Sequence, residues 1–168
     1  MLSPSWKKEA QEHQKAYRSI LEKVSKPGGK KWRAAILKEL PKLHQNAFDT
    51  IDCLQCANCC KNHSPRFKQP DIKRISKHLK IKEGELISRY LRLDEDNDFV
   101  TQSSPCPFLN TDNTCQIYEV RPGDCARYPY TNEDVLLNRT SLTLKNTLVC
   151  PITFHVMEAI VQGYSQTK

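Results

Sequence analysis

The chain lacks any long apolar run. No stretch of its 168 residues approaches the ~18–20 apolar residues that a membrane-spanning helix requires. Its N-terminus, MLSPSWKKEAQEHQK, is polar and has no apolar segment of the secretory-signal kind, so a cytoplasmic location is expected. Glycine is scarce: there are five, two of them adjacent at Gly28-Gly29, and no Gly-rich nucleotide or SAM loop can be assembled from them. Apolar residues reach only 38%, below the ~45–50% usual for globular chains, so a core can form but is thin for the length. No Ser-His-Asp order and no carboxylate pair stands out as catalytic machinery. Cysteine is absent from the first 52 residues and from the last 18.

Between those limits it is abundant. Eight cysteines fall at Cys53, Cys56, Cys59, Cys60, Cys106, Cys115, Cys125 and Cys150. An even count permits disulfides, but without an export signal thiols are expected to stay reduced. Spacing of two residues between cysteines is metal-site grammar rather than disulfide grammar.

The net charge of +7 is unevenly placed: residues 1–50 carry +6, residues 51–100 carry +2 and residues 101–168 carry −1. The basic residues of the first segment alternate with Glu and Gln, and no aromatic-interleaved binding motif accompanies them. A solvated helix surface is therefore favoured over a nucleic-acid interface. Trp6 and Trp32 read as helix-packing residues rather than a base-stacking platform.

Local patterns sketch the architecture. Ser3 or Ser5 can cap a first helix with Pro4 in its opening turn. Trp6, Ala10, Tyr17, Ile20, Leu21 and Val24 then recur at helical spacing. Pro27, Gly28 and Gly29 end it, and a second helix runs from about Lys31, with Pro41 bending or restarting it. Pro70 and Asp71 open a short helix with Ile72, Ile75 and Leu79 inward, and Leu86, Ile87, Tyr90 and Leu91 mark another. Residues 99–102 suit a short strand, and so does SLTLKNTLV at 141–149. Pro105 to Tyr130 has little periodicity and needs a staple other than apolar burial. Pro151 opens a C-terminal helix with Ile152, Val156, Ala159 and Ile160 on one face. The expected fold is mainly α, a small single domain with an irregular, metal-stapled middle and at most a few short strands. It divides into a basic helical hairpin at 1–51 and a cysteine-cluster metal-binding region at 52–168 that includes the C-terminal helix.

Cys53-x2-Cys56-x2-Cys59-Cys60 is the strongest signal. Two residues between cysteines let a tight turn aim both sulfurs at one point while turn N–H groups donate to the thiolates. Thiolate is a soft donor and selects zinc, iron–sulfur clusters or Cu(I) over Mg²⁺ or Ca²⁺. The C-x2-C-x2-C run is like ferredoxin spacing, whose further ligand is a Cys followed by Pro, and Cys106-Pro107 and Cys150-Pro151 have that form. Cys60, adjacent to Cys59, could bind the same metal, a second one or none. In CPFLNTDNTCQIYEVRPGDCARYPY, Arg121 and Arg127 flank Cys125 and can offset cluster charge, or else pair with Asp124 and Glu119 at the surface. His63, three residues after Cys60, could replace a cysteine as ligand, though a loop role is commoner. His155 reads as a core or surface residue ahead of a ligand.

Cys53 to Cys60, then CPFL, CQIY, RP, CARYP and the last Cys150 resemble the YkgJ-type cysteine-cluster family, the CxxCxxCC zinc- or iron-chelating domain, over roughly residues 52–151. The Asp71-Ile-Lys-Arg-Ile-Ser-Lys-His-Leu stretch resembles the helix that follows the first cluster in that family. One departure is visible: Ala126 stands between Cys125 and Arg127, where the family often has Arg directly after the cysteine. The resemblance implies cytoplasmic bacterial proteins that bind iron–sulfur or zinc. One branch resembles the flagellin lysine methylase, but nothing here matches the added part that its chemistry needs. The expectation is a metal-binding protein whose ligands come from the eight cysteines, four of them holding an iron–sulfur cluster of the 4Fe-4S type and the rest left for structure or a second centre, in a redox or metal-handling role with a redox partner protein. The alternative is a structural zinc-binding module that mediates protein or nucleic-acid interaction. Any enzyme activity would be of the iron–sulfur oxidoreductase kind.

Overall fold

A computed structural model describes residues 5–164. The Ser3 and Pro4 part of the first cap lies outside the described residues. Helices dominate, and the only sheet among the described residues is a two-stranded hairpin. The chain forms two compact units: residues up to Asp52 together with those from Pro129 onward, and Cys53–Tyr128.

The first unit is a helical bundle. It comprises α1 (Trp6–Glu12), α2 (Gln14–Ser25) and α3 (Lys30–Thr50), joined later in the chain by α9 (Val135–Asn138), α10 (Thr140–Val149) and α11 (Pro151–Tyr164). Tyr17, Ile20, Leu21 and Val24 bury one face of α2, as their i, i+3, i+4, i+7 spacing demands. A short 3-10 turn at Pro27–Gly29 reverses the chain. A Cβ at Gly29 would stand 2.0 Å from the Lys23 carbonyl oxygen and 2.8 Å from the Val24 Cα, so only glycine lets the turn close so tightly on the end of α2. α3 then runs unbroken through Pro41 for 21 residues, where a restart was open from sequence. It buries Ile36, Leu40 and Ala47.

Two features differ from the sequence expectation. Residues 140–149 form a helix, not a strand. Their β-branched threonines favour a strand only while their packing is unknown. In the fold the Thr143 hydroxyl donates to the Leu136 carbonyl at 2.7 Å, the Thr147 hydroxyl donates to the Leu144 carbonyl at 2.7 Å, and Gln14 donates to the Thr147 hydroxyl at 2.8 Å. These bonds satisfy the buried polar atoms of α10 in place, so burial between helices overrides propensity. Secondly, α11 packs on α3, α10 and α2. The C-terminal helix thus belongs with the N-terminal helices and not with the cysteine region it was grouped with at 52–168.

The second unit contains α4 (Cys53–Cys56), α5 (Asn58–Asn62), α6 (Gln69–Leu79), α7 (Glu83–Tyr90), β1 (Leu91–Leu93), β2 (Phe99–Thr101) and α8 (Gly123–Arg127). β1 and β2 pair antiparallel, with Leu91 opposite Thr101. Their turn is closed by the Asp94 carboxylate, which accepts the N–H groups of Asp96 and Asp98. Phe67, Ile72, Ile75, Leu86, Leu91, Phe108 and Ile117 share one core. The irregular stretch at 105–130 therefore contributes two wholly buried anchors, Phe108 and Ile117, of its own.

Candidate metal centre

The first cysteine group is built from two short helical turns joined at a left-handed residue. Ala57, between α4 and α5, has φ 45° and is buried. Its N–H bonds to the Cys53 carbonyl at 2.8 Å, and its own carbonyl accepts the Lys61 N–H at 3.0 Å. A non-glycine residue in this region is strained, and the flanking bonds hold it there. The reversal brings Cys59 and Cys60 to the start of α5, with their sulfurs 3.9 Å apart. Cys53 is exposed, while Cys56, Cys59 and Cys60 are half-buried.

The second group is brought to the first by backbone contacts. The Cys106 N–H donates to the Cys60 carbonyl at 2.8 Å. From Cys106 the chain turns through Asn113, which has φ 66°, and returns so that Cys115 bridges to Leu109. The Asn110 N–H bonds to the Thr114 carbonyl, and the Gln116 N–H to the Phe108 carbonyl, which places Cys106 and Cys115 on the two arms of one small loop. The burial of Phe108 and Ile117 pins both arms to the core. Cys125 lies in α8, whose first residue, Gly123, is tied to α6 by a 3.2 Å bond from its N–H to the Asp71 carboxylate.

The charges reveal which thiols sense one another. A hydrogen bond with Cys59 lowers the Cys60 thiol to about 7, against the opposing effect of burial and with help from Lys61. Burial pushes Cys106 up to about 11, and the charges of Cys60 and Cys115 add to it. Cys115 is also raised, by burial and then by Cys60, while Arg121 acts in the opposite direction. Cys125 is pushed up to about 12 by burial, then by Cys106, Cys60, Cys115 and Asp124. Cys60, Cys106, Cys115 and Cys125 thus repel one another as thiolates in every pairing. A soft cation among them would turn that repulsion into attraction, and this donor set fits zinc or an iron–sulfur cluster. Among the described residues, no three His, Cys, Asp or Glu side chains stand at the close spacing of a finished metal site. The thiols converge without closing.

The remaining sequence candidates divide by unit. Cys53 and Cys56 stand beside this group in the chain. Cys150 is buried at the junction of α10 and α11, in the helical unit. Arg121 lies with its guanidinium carbon 3.9 Å from the centre of the Tyr118 ring and donates to the Tyr118 carbonyl at 2.6 Å. Arg127 is exposed in the last turn of α8. Asp124, offered above as a surface partner of these arginines, receives Arg66 at 2.9 Å. The His63 N–H donates to the Cys59 carbonyl at 2.7 Å, its ring meets Tyr128 edge-on, and its buried Nε2 has no hydrogen-bond partner. Burial lowers its pKa. His155 sits in the helical unit, also with a buried and unpartnered Nε2. Sequence reasoning missed the role of Asp71 and Arg74 around Gly123. The Pro70-Asp71 helix start was visible, but nothing local says that its carboxylate reaches a residue 52 positions away.

A family model described as "Putative zinc- or iron-chelating domain", with the signature CxxCxxCC, matches residues 52–151. An uncharacterized protein of Methanocaldococcus jannaschii, MJ0661, is 32% identical over 84 residues, covering 47% of this chain and 44% of that protein. The chain therefore spans less than half the length of that relative. No solved structure matches. No helix among the described residues is long and apolar enough to cross a membrane.

Proposed function

Because the chain belongs to the CxxCxxCC family of zinc- or iron-chelating domains, we propose that it is a metal-binding protein whose cysteine thiolates hold an iron–sulfur cluster of the 4Fe-4S type. The observation that carries this reading is the mutual convergence of Cys60, Cys106, Cys115 and Cys125 from three separate chain segments. Four thiols are gathered in a half-buried place, and Cys106, Cys115 and Cys125 are pushed up by burial and by neighbouring thiolate charge, a cost that a bound cation would offset. Cys59 joins them through its sulfur contact with Cys60, and Cys53 and Cys56 extend the donor supply of the C-x2-C-x2-C run. Cys150 is a less direct candidate. Arg121 offsets thiolate charge at Cys115, and Arg127 would do so at Cys125 if α8 turns it inward. Iron–sulfur ligation suits the ferredoxin-like spacing and would give the protein electron transfer, redox sensing or metal handling, with a redox partner protein and no nucleic acid or membrane.

Protein purified without oxygen tests this. A brown solution absorbing near ~400 nm, with iron and acid-labile sulfide in stoichiometric amounts, is the expected result. Colourless protein holding stoichiometric zinc would replace the cluster with a structural zinc module, since a closed four-thiolate zinc site has no redox chemistry and no open position.

A further inference from the structure

Asp71 occupies the third position of α6, eleven residues after Cys60, yet it is only 6% exposed. A buried carboxylate is costly unless donors surround it. Three do. Its Oδ2 accepts the Lys68 N–H at 3.0 Å and so caps its own helix, while its Oδ1 accepts the Gly123 N–H at 3.2 Å and an Arg74 Nη2–H at 2.8 Å. Arg74, one turn further along α6, donates in addition to the Arg121 carbonyl at 2.8 Å and to the Val120 carbonyl at 3.3 Å. One face of α6 therefore offers an acceptor to the N–H and two donors to the carbonyls of the same short segment, 120–123. That segment leads into α8, and Cys125 follows two residues after Gly123.

The latch has a reason to exist. From Tyr118 to Tyr128 the only buried side chain is Pro122, so the Cys125 arm has almost no apolar anchor of its own. Arg66, paired with Asp124 at 2.9 Å and with Asp98 at 3.5 Å, is half-exposed and adds a weaker tie. We propose that Asp71, braced by Arg74, is a positioning residue that presents Cys125 to Cys60, Cys106 and Cys115 for metal capture. This rests on the ligand reading above for its purpose, but the latch itself is a property of the metal-free chain.

Two readouts test it, using Asp71→Asn, Arg74→Gln and, as a control of equal location, Ile75→Val in the α6 core. In the metal-free, reduced, folded protein, alkylation rates are measured cysteine by cysteine by peptide mass. Asp71→Asn and Arg74→Gln should each speed alkylation of Cys125 by about tenfold or more while leaving Cys150 near its wild-type rate, the size expected when an outer support of a ligand is removed. Ile75→Val should leave Cys125 unchanged. Zinc affinity is then measured by chelator competition. Asp71→Asn should weaken it by about tenfold or more in the wild-type background and add nothing in a Cys125→Ser background, since both act through one ligand. An unaltered Cys125 rate in both latch variants, or losses that add to Cys125→Ser, overturns the proposal. A wild-type chain that holds neither an iron–sulfur cluster nor zinc overturns the metal reading instead, and the alkylation rates still decide the latch. If Asp71→Asn does not fold, Arg74→Gln carries both measurements.

Discussion

In the helical unit, buried apolar side chains come from every long helix: Trp6 and Ala10 from α1, Leu21 and Val24 from α2, Ile36 and Leu40 from α3, and Val156, Met157 and Ile160 from α11. In the cysteine unit they are gathered between Phe67 and Ile117, while residues 53–66 contribute only Ala57 and residues 118–128 only Pro122. Those two poor stretches are the ones that carry Cys53 to Cys60 and Cys125. Ordering a residue costs about 1–2 kcal/mol of backbone entropy, which burial returns in the helical unit and around the α6 and α7 core. In the cysteine arms it does not, and hydrogen bonds such as Cys106 to Cys60 and Gly123 to Asp71 hold the shape. The contrast locates the role of a metal more narrowly than composition can. On the proposed reading a metal would complete the arms, while the middle of the same unit stands on its own core.

The sharpest way to break the comparison is to remove sulfurs. Cys60→Ser, Cys106→Ser, Cys115→Ser and Cys125→Ser should each lower metal content or affinity by orders of magnitude, since binding contributes on the order of 10 kcal/mol to a small thiolate site. Metal analysis and chelator competition would read the loss. If all four variants keep full occupancy, the convergence around Cys60 has no bearing on binding. Next in size are core deletions. Phe108→Ala, in the cysteine unit, and Leu21→Ala, in the helical unit, should cost about 3–5 and 2–5 kcal/mol by denaturant unfolding. Phe108→Ala should also loosen Cys106 and Cys115, while Leu21→Ala should spare metal binding.

A smaller effect is expected from Tyr17→Phe. The Tyr17 hydroxyl donates to the Glu158 carboxylate, which also lies 2.8 Å from His13 Nδ1. Loss of that bond should cost about 1.5–3 kcal/mol, as charge-assisted hydrogen bonds do, with no change in metal content. The smallest effect is on pH dependence in the metal-free, reduced protein. Cys60 sits at about 7 in the fold against 9.0 ordinarily, so its contribution is full above 9 and is lost as pH falls through 7. Cys106 and Cys125 sit at about 11 and about 12, so the unfolded chain ionises first and stability declines as pH rises past 9 towards those values. The melting temperature should therefore peak near pH 9. A monotonic rise through pH 11 would contradict the burial of Cys106 and Cys125.

Much of this was legible in the residues. Period-3.6 apolar spacing marks α2, α6 and α7 because each buries one face locally, and the cysteine spacing identifies the chelating family before any geometry. Two kinds of fact were hidden. The helix at 140–149 is supported by Gln14, which reaches Thr147 from 133 residues away, and the return of α11 to α3 depends on long-range packing that periodicity does not encode. Likewise, spacing brings out Cys53, Cys56 and Cys59 as the evident ligand run, whereas the group that senses one another is Cys60 with three distant cysteines. The backbone bond from Cys106 to Cys60 and the tie from Asp71 to Gly123 help bring that group together, and cysteine spacing encodes neither.

Hydrogen exchange on the metal-loaded and metal-stripped chain, resolved by peptide, tests the central contrast most directly. Stripping should abolish protection in residues 53–66, weaken but not abolish it in 118–128, where the Gly123 N–H stays bound to Asp71, reduce it slightly between Phe67 and Ile117, and leave α2, α3 and α11 unchanged. Equal protection in both states throughout the cysteine arms would contradict the account.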